Sequence, residues 1–245
     1  MVISTRAETI DHNDHHLTTI SFPSLGDQLA GVHPRTLVNK PDGTFDLTEL
    51  EYKVRPYYDQ HQPRTAAVCL ENTHNRCSGA VLPLDFIESV SKVCKSNSLK
   101  LHVDGARVFN AVTALGVPVS TVLRHTDSVS VCLSKGLGCP VGTVVAGSRD
   151  FIKRVHRCRK VLGGAMRQSG VVAATGLVAL RSMVDRLSDD HKHAYEIAQS
   201  ISACRSDIVT VDMKRVQSNI VMITADPKYM SVQQFCDRMG QVSVF

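Results

Sequence analysis

Three short apolar runs in the chain, TAAVCL, LKLHV and SVSVCL, are each followed at once by a polar stretch: ENTHN, DGAR and SKG, respectively. In a parallel α/β sheet, ligands bind beyond the carboxyl ends of the strands, which is where such polar stretches lie. If the three runs are neighbouring strands, carboxylates, an imidazole, a guanidinium and an amine meet at one edge, and that is a catalytic set rather than a packing set. These side chains are Glu71, His74, Asp104, Arg107 and Lys135.

Lys135 is followed by three glycines, Gly136, Gly138 and Gly142, and lies between two β-branched apolar runs. A lysine at a strand end is most often a solvated charge at the rim of the sheet. Glycines, however, remove side chains where the backbone has to come close to a planar or phosphorylated ligand. The glycines therefore favour a ligand site around this lysine.

A strand-end lysine and a strand-end carboxylate are used together in one cofactor chemistry, that of pyridoxal phosphate. The lysine forms a Schiff base with the aldehyde, and the carboxylate keeps the ring nitrogen protonated so that the ring accepts electrons. Between Asp104 and Lys135 there is room for one helix and the next strand, which places them on adjacent or near-adjacent strands. Taken alone, this pairing is weak evidence, because both residue types favour rims.

The order of apolar patterns predicts the elements that position these residues. From Arg64 onward, strand-like runs alternate with amphipathic helical patterns, such as LDFIESVSKVCKSN and ARVFNAVTALG, the latter ended by Gly116. Strands separated by helices pair in parallel with right-handed crossovers. The strand VGTVVAG follows SVSVCL too closely for a crossover helix, so we expect it to be antiparallel. The predicted fold class is α/β with a mostly parallel sheet.

The C-terminal part of the chain has a different pattern. Two helices are predicted over residues 150–161 and 168–187, and beyond Ser188 the sequence changes to a helix, two short strands and a final helix. This tail is typical of the start of a small α+β domain. The chain is therefore divided into a polar N-terminal segment (1–27), a large cofactor-binding domain (28–187) and a partial small domain (188–245).

Composition excludes several function classes. The 245 residues, 43% apolar and 21% charged, are enough for a sizeable core. The net charge of +5 is spread along the chain, and the basic run KRVHRCRK has no aromatic ladder, so no nucleic-acid partner is predicted. The eight cysteines occur singly without a C-x-x-C pair, as reduced core thiols do, and no metal site is predicted. Without a secretory signal or a span of membrane length, the predicted compartment is the cytoplasm, with no membrane partner.

Four motifs, LENTHN, LHVDGARVFNA, DSVSVCLSKGLGCPVGTVVAGS and RKVLGGAMRQSGVVAATGL, resemble in order the signatures of the threonine aldolases. These are pyridoxal-phosphate enzymes of fold type I, and the resemblance runs from about Gln28 to the C-terminus. It implies retro-aldol cleavage of L-threonine or L-allo-threonine to glycine and acetaldehyde. It also implies pyridoxal 5'-phosphate as the cofactor and a homodimer or homotetramer as the assembly.

The same resemblance implies a role for four of the five strand-end residues, whereas Glu71 could equally be an acceptor that anchors a loop. Lys135 is the Schiff-base lysine, and Asp104 pairs with the pyridine nitrogen. Arg107 holds the phenolic oxygen of the cofactor or the carboxylate of the substrate. His74 lies near the β-hydroxyl of the substrate and is the candidate base, directly or through a water, with the alternative that it only orients a loop.

Other parts of the family pattern are matched poorly. The first 16 residues contain no glycine, whereas the family cradles the cofactor phosphate with a Ser-Gly-Thr-type loop ahead of this region. His16 lies near the position of the family's ring-stacking histidine, and Arg167 matches a basic residue that supports the cofactor end. The acidic and histidine-rich residues 11–16 are interpreted as a solvated, frayed terminus rather than a metal site. The chain also finishes before the arginine with which the family's small domain binds the substrate carboxylate.

Two alternatives follow from these departures. The chain is an active threonine aldolase, or it is an inactive relative that binds cofactor poorly and acts only by pairing with full-length subunits. A third alternative, another fold type I enzyme such as a β-eliminating lyase or an aminotransferase, is disfavoured by the continuous match through DGARVFNA and LSKGLG.

Overall fold

The computed structural model describes residues 7–14, 31–55, 58 and 61–242. Its main element is a six-stranded sheet with the strand order β2-β1-β3-β4-β5-β6. Neighbouring strands from β2 to β5 pair in parallel, and β6 is antiparallel to β5, as predicted. The strands are β1 (Ala7–Asp14), β2 (His33–Val38), β3 (Arg64–Glu71), β4 (Lys100–Asp104), β5 (Ser128–Cys132) and β6 (Thr143–Gly147).

Helices connect and follow these strands. Those that lie between strands of the sheet are α1 (Leu47–Lys53), α2 (Leu84–Ser96), α3 (Val108–Leu115) and α4 (Val119–Val122). Those that follow the sheet are α5 (Arg149–Val161), α6 (Gly170–Ser182), α7 (Leu187–Ala203) and α8 (Val232–Gln241). No helix in the described part of the chain is both long enough and apolar enough to cross a membrane.

The core lies between the sheet and the helices that cover it. Helix α2 has Asp85 in its first turn, where a carboxylate stabilises the helix dipole, and its apolar stripe faces the sheet. Helix α3 ends at Gly116, which adopts φ 62°, a conformation that favours glycine. Each fully buried aliphatic side chain stabilises the fold by about 1.5–3 kcal/mol. The buried cluster includes Val68, Leu70, Ile87, Val90, Leu101, Val103 and Val129.

Strand register brings the carboxyl ends of β3, β4 and β5 to one edge. Glu71, the last residue of β3, pairs with Asp104, the last residue of β4. Asp104 in turn pairs with Ser130 of β5. The polar stretches that follow these strands therefore start side by side, as the sequence predicted.

The structure corrects two predictions and adds two elements. The interpretation of residues 11–16 as a frayed terminus is wrong for 11–14, because Ala7–Asp14 forms β1 and pairs between β2 and β3. The helix predicted over 168–187 is shorter: it ends at Ser182, the chain turns, and α7, predicted only beyond Ser188, already begins at the buried Leu187. Strand β2 and helix α1 were not predicted from the sequence.

The C-terminal part forms a two-stranded antiparallel sheet of β7 (Val209–Val211) and β8 (Ile223–Ala225), with α8 after it. A short 3₁₀ helix, Met213–Arg215, lies between the two strands. The segment that follows it contacts the loop after β3, where the Ser218 hydroxyl donates to the Gly79 carbonyl over 2.8 Å. The domain boundaries at 27/28 and 187/188 stay predictions.

Candidate active site

Asp104 is held at the end of β4 by the chain that follows it. Its Oδ1 accepts a hydrogen bond from the Ala106 amide at 3.0 Å and lies 3.5 Å from the Ser130 hydroxyl, which donates to it. Among the described residues, none donates to Oδ2. Gly105 makes this turn possible, because a Cβ there would lie 2.8 Å from Val129 and 2.9 Å from the Ser130 carbonyl oxygen. The carboxylate is thus fixed through one oxygen and open at the other.

Lys135 lies in a closed loop after β5. The Gly138 amide donates to the Lys135 carbonyl at 2.8 Å, and the Leu133 amide donates to the Gly142 carbonyl at 2.9 Å. These bonds fix the backbone while the lysine side chain itself is exposed. A fixed backbone carrying an exposed amine is what covalent capture of an aldehyde requires.

The glycines around Lys135 have structural reasons of their own. Gly138 and Gly142 adopt φ values of 69° and 128°, which side chains rarely tolerate. Gly136 lies against Leu187, the first residue of α7, and a Cβ there would approach the Leu187 Cδ2 to 2.8 Å. The turn and the packing of α7 thus account for the glycines, which the sequence had linked to a ligand.

Arg107 precedes helix α3 and lines a small cavity at the strand edge. The cavity is also bounded by Gly105, Val131, Gly136 and Leu187. The guanidinium therefore lies where the ends of β4 and β5 and the lysine loop meet, and its fork suits a carboxylate or a phenolate oxygen.

Electrostatic coupling to Glu71 shows that the strand-end charges lie close together. The pKa of Glu71 is raised to about 7, chiefly by burial and then by the Asp104 carboxylate, while the Asn75 amide, Arg107 and Lys135 act in the opposite direction. All three charged neighbours must therefore lie within electrostatic reach of one carboxyl group. We call the four side chains Glu71, Asp104, Arg107 and Lys135 the carboxyl edge.

His74 lies beside the carboxyl edge but is completely buried. Its Nδ1 accepts a hydrogen bond from the Cys77 amide at 3.3 Å and lies 4.0 Å from the Glu71 Oε2, too far for a hydrogen bond. Its Nε2 lies 3.2 Å from the Asn39 Nδ2, and the Asn39 Oδ1 is buried with no hydrogen-bond partner among the described residues. Since Nδ1 accepts, the neutral ring carries its proton on Nε2, and an Asn39 amide turned by half a turn would satisfy both groups.

The remaining predicted site residues are not brought to this edge. Arg167 is exposed in the turn between α5 and α6 and makes no hydrogen bond or ion pair with the described residues. His16 lies outside the described residues. Asn39 is a site neighbour that sequence reasoning missed. It directly follows β2, so the strand-end rule would have indicated it had β2 been predicted.

The residues present fit pyridoxal phosphate at three of its groups. The exposed Lys135 amine suits the aldehyde, the open Oδ2 of Asp104 suits the ring nitrogen, and Arg107 suits the phenolic oxygen. The fold and the site together define a pyridoxal-phosphate-dependent protein of fold type I.

The family model described as beta-eliminating lyase matches residues 5–226, and the chain belongs to this family. The Arabidopsis thaliana protein named "probable low-specificity L-threonine aldolase 2" is 46% identical over 241 residues, covering 97% of this chain and 67% of the relative. The Escherichia coli K12 low specificity L-threonine aldolase is 42% identical over 184 residues, covering 75% of this chain and 54% of the relative. The resemblance to threonine aldolases is confirmed.

Solved structures support the same fold. A threonine aldolase from Leishmania major superposes with a TM-score of 0.69 at 19% identity, over 85% of this chain and 60% of that one. A PLP-dependent aminotransferase from Streptococcus suis superposes with a TM-score of 0.68 at 16% identity, over 98% of this chain and 61% of that one. The chain spans 67% of the length of the Arabidopsis thaliana relative and 54% of the length of the Escherichia coli relative.

Proposed function

We propose that this chain cleaves L-threonine or L-allo-threonine to glycine and acetaldehyde, with Lys135 as the residue that bonds the aldehyde of pyridoxal phosphate. The observation that carries the proposal is the carboxyl edge, where an amine, a guanidinium and two carboxyl groups from three strand ends act on one another. The sequence identity to low-specificity threonine aldolases supports the choice of substrate.

Each residue of the edge has a defined task in this proposal. When bound, pyridoxal phosphate accepts the electron pair released by cleavage of the Cα–Cβ bond. Asp104 would hold a negative charge at the ring nitrogen through its open Oδ2, and the Ala106 amide fixes its other oxygen. Arg107 binds a carboxylate or phenolate oxygen. His74, Arg167 and His16 stay proposed site residues.

The test is product analysis with L-threonine and L-allo-threonine. Glycine and acetaldehyde in equal amounts support the proposal, whereas ammonia and a keto acid would show a lyase of another type. In parallel, the purified chain is titrated with pyridoxal phosphate, and the visible absorbance of the lysine-bound cofactor is followed. Lys135→Ala should abolish this absorbance, and Lys92→Ala, an exposed lysine on α2 paired with Glu88, should leave it unchanged.

A second candidate is an inactive chain that acts by pairing with full-length subunits. The observation that favours pairing is the exposed apolar surface of α6, where Val171 is 74%, Leu177 55% and Val178 65% exposed. Such a face suits a subunit contact, so we also propose that the chain is a homodimer or homotetramer. Light scattering gives the mass of the assembly, and a cofactor titration without visible absorbance in the parent chain would favour the inactive alternative.

The cytoplasm is the compartment that we propose. All eight cysteines are free thiols, and Cys69, Cys77, Cys94 and Cys139 are buried in the fold. Buried reduced thiols are typical of a reducing compartment. Non-reducing mass analysis of the endogenous protein, with thiol labelling, checks this point.

A further inference from the structure

His74, the base implied by the family resemblance, is poorly placed to contact a substrate. Its side chain has no exposed surface. Both ring nitrogens are engaged inside the loop, Nδ1 by the Cys77 amide and Nε2 beside the Asn39 amide group. A substrate hydroxyl could contact this ring only if the loop gave up these contacts. The proton acceptor is therefore better sought among the groups that remain accessible.

Glu71 is the accessible acid–base group next to this histidine. It is the last residue of β3, and its side chain keeps 16% of its surface exposed. Its partner across the parallel ladder is Asp104, whose Oδ1 is fixed by the Ala106 amide. Glu71 is thus anchored by the rigid end of a buried strand and opens to the same edge as Lys135.

Charged and titratable groups face Glu71 from every element around it. Asp104 lies on β4, Arg107 at the start of α3, Lys135 in the loop after β5, and His74 and Cys77 in the loop after β3. Burial is the largest influence and raises the pKa of Glu71 to about 7, and the Asp104 carboxylate acts in the same direction. The Asn75 amide, Arg107 and Lys135 favour the ionised form. A carboxyl group whose pKa lies near 7 is present in both its protonated and its ionised form at neutral pH, so it can both accept and donate a proton there.

We propose that Glu71 is a catalytic residue that takes the β-hydroxyl proton of the substrate and returns it to the product carbon. This inference rests on the proposed function. The hydroxyl O–H bond breaks and its proton moves to a Glu71 carboxylate oxygen, while the O–H electron pair forms the second bond of the aldehyde C=O. The Cα–Cβ bond breaks and leaves its electron pair on Cα. The proton then passes from Glu71 to Cα, so Glu71 ends ionised and no further reactant is consumed.

The kinetic test compares Glu71→Gln, Glu71→Asp and His74→Gln in the holoenzyme, with Glu88→Gln, an exposed carboxyl on α2, as the control. Removal of a general base lowers the rate by about 10²- to 10⁴-fold, and Glu71→Gln is expected to lower kcat/KM for L-threonine within this range. The wild-type kcat/KM should rise with pH through about 7. Glu71→Asp and His74→Gln should keep this rise, and Glu71→Gln should lose it. A rise that is lost in His74→Gln but kept in Glu71→Gln would overturn the inference.

A second readout is independent of activity. Carbon-13 NMR of glutamate side chains in the cofactor-free chain should show one carboxyl that titrates near pH 7 and is missing in Glu71→Gln. Glu71→Asp, checked for folding by thermal unfolding, serves if the glutamine variant does not fold. A wild-type chain without threonine cleavage would refute the proposed function, whereas cleavage with an unchanged pH profile in Glu71→Gln would refute only the role of Glu71. If the Glu71 carboxyl group titrates with a midpoint below about pH 5, close to the ordinary pKa range of glutamate, the proposal that Glu71 is the base is overturned.

Discussion

The carboxyl edge and the surface of α5 and α6 contain the same kinds of charged side chain in opposite environments. At the edge, Glu71 is mostly buried, and the charges of Asp104, Arg107 and Lys135 change its pKa. On α5 no residue is buried, and Lys153 and Asp150 form an ion pair whose side chains are 72% and 88% exposed. Water screens the second set more strongly than the mostly buried Glu71 carboxyl group of the first. Burial at the strand ends, rather than residue type, thus separates a chemical site from a solvated helix.

The largest expected effect is on the pH dependence of stability at the edge. Because the folded-state pKa of Glu71 is raised to about 7 from 4.5, the folded chain binds more protons than the unfolded chain between these values. The contribution of Glu71 to the free energy of unfolding should therefore fall as pH rises from 4.5 to 7 and stay lower above it, by up to about 3 kcal/mol. His102 acts in the opposite direction, because burial lowers its pKa to about 4 and its contribution rises with pH. Because Glu71→Gln leaves His102 in place, the change in the free energy of unfolding from pH 5 to pH 8 should be more positive in this variant than in the parent chain, as measured by urea unfolding.

The matching control on the exposed surface is Asp150→Asn. It should leave the difference between pH 5 and pH 8 as it is in the parent chain, because solvent screens this carboxylate. Equal effects of the two substitutions would mean that the edge is no more buried than α5.

The sequence predicted those parts of the edge that depend on local pattern. Asp104 and Lys135 follow apolar strand runs, and alternation with helices was enough to predict parallel pairing and an antiparallel β6. Strand β1 was missed because AETIDHND is polar and its place is set by pairing with β2 and β3. Apolar residues do not alternate regularly with polar residues in this strand, so its sequence pattern does not predict a strand.

Contacts between distant residues were beyond sequence reasoning. His74 was predicted as a candidate base or as a residue that only orients a loop, and the sequence did not indicate that it is buried in contact with Asn39 from another loop. The glycine after the lysine was linked to a ligand, whereas Gly136 makes room for Leu187 at the start of α7. Side-chain packing of this kind depends on the folded topology, which periodicity does not encode.

The second prediction concerns the carboxylate that faces the ring nitrogen. Asp104→Asn keeps the shape of the side chain but removes its charge, and loss of one charge-assisted hydrogen bond should weaken cofactor binding about 10- to 100-fold. A pyridoxal phosphate titration followed by visible absorbance measures this change. An affinity equal to that of the parent chain would mean that Asp104 and Lys135 do not serve one ring.

The third prediction concerns packing below the edge. Gly136→Ala should destabilise the chain by about 1–2 kcal/mol, because the new Cβ would meet the buried Leu187 Cδ2 at 2.8 Å. Gly170→Ala, at the exposed start of α6, meets no atom within 4 Å and should cost nothing. Urea unfolding measures both variants. Leu187→Ala should lessen the effect of Gly136→Ala in a double-mutant cycle, and additive effects would contradict the contact.

The smallest effect is expected on α5. Lys153→Gln removes the 3.6 Å ion pair with Asp150, and because both side chains are largely exposed, the free energy of unfolding should change by less than about 0.5 kcal/mol. Urea unfolding at low and high salt measures this difference. A loss above 1 kcal/mol that disappears at high salt would mean that charges on α5 are coupled as closely as those at the carboxyl edge, since only weakly screened pairs reach such energies. The contrast between the two regions would then rest on cofactor binding alone.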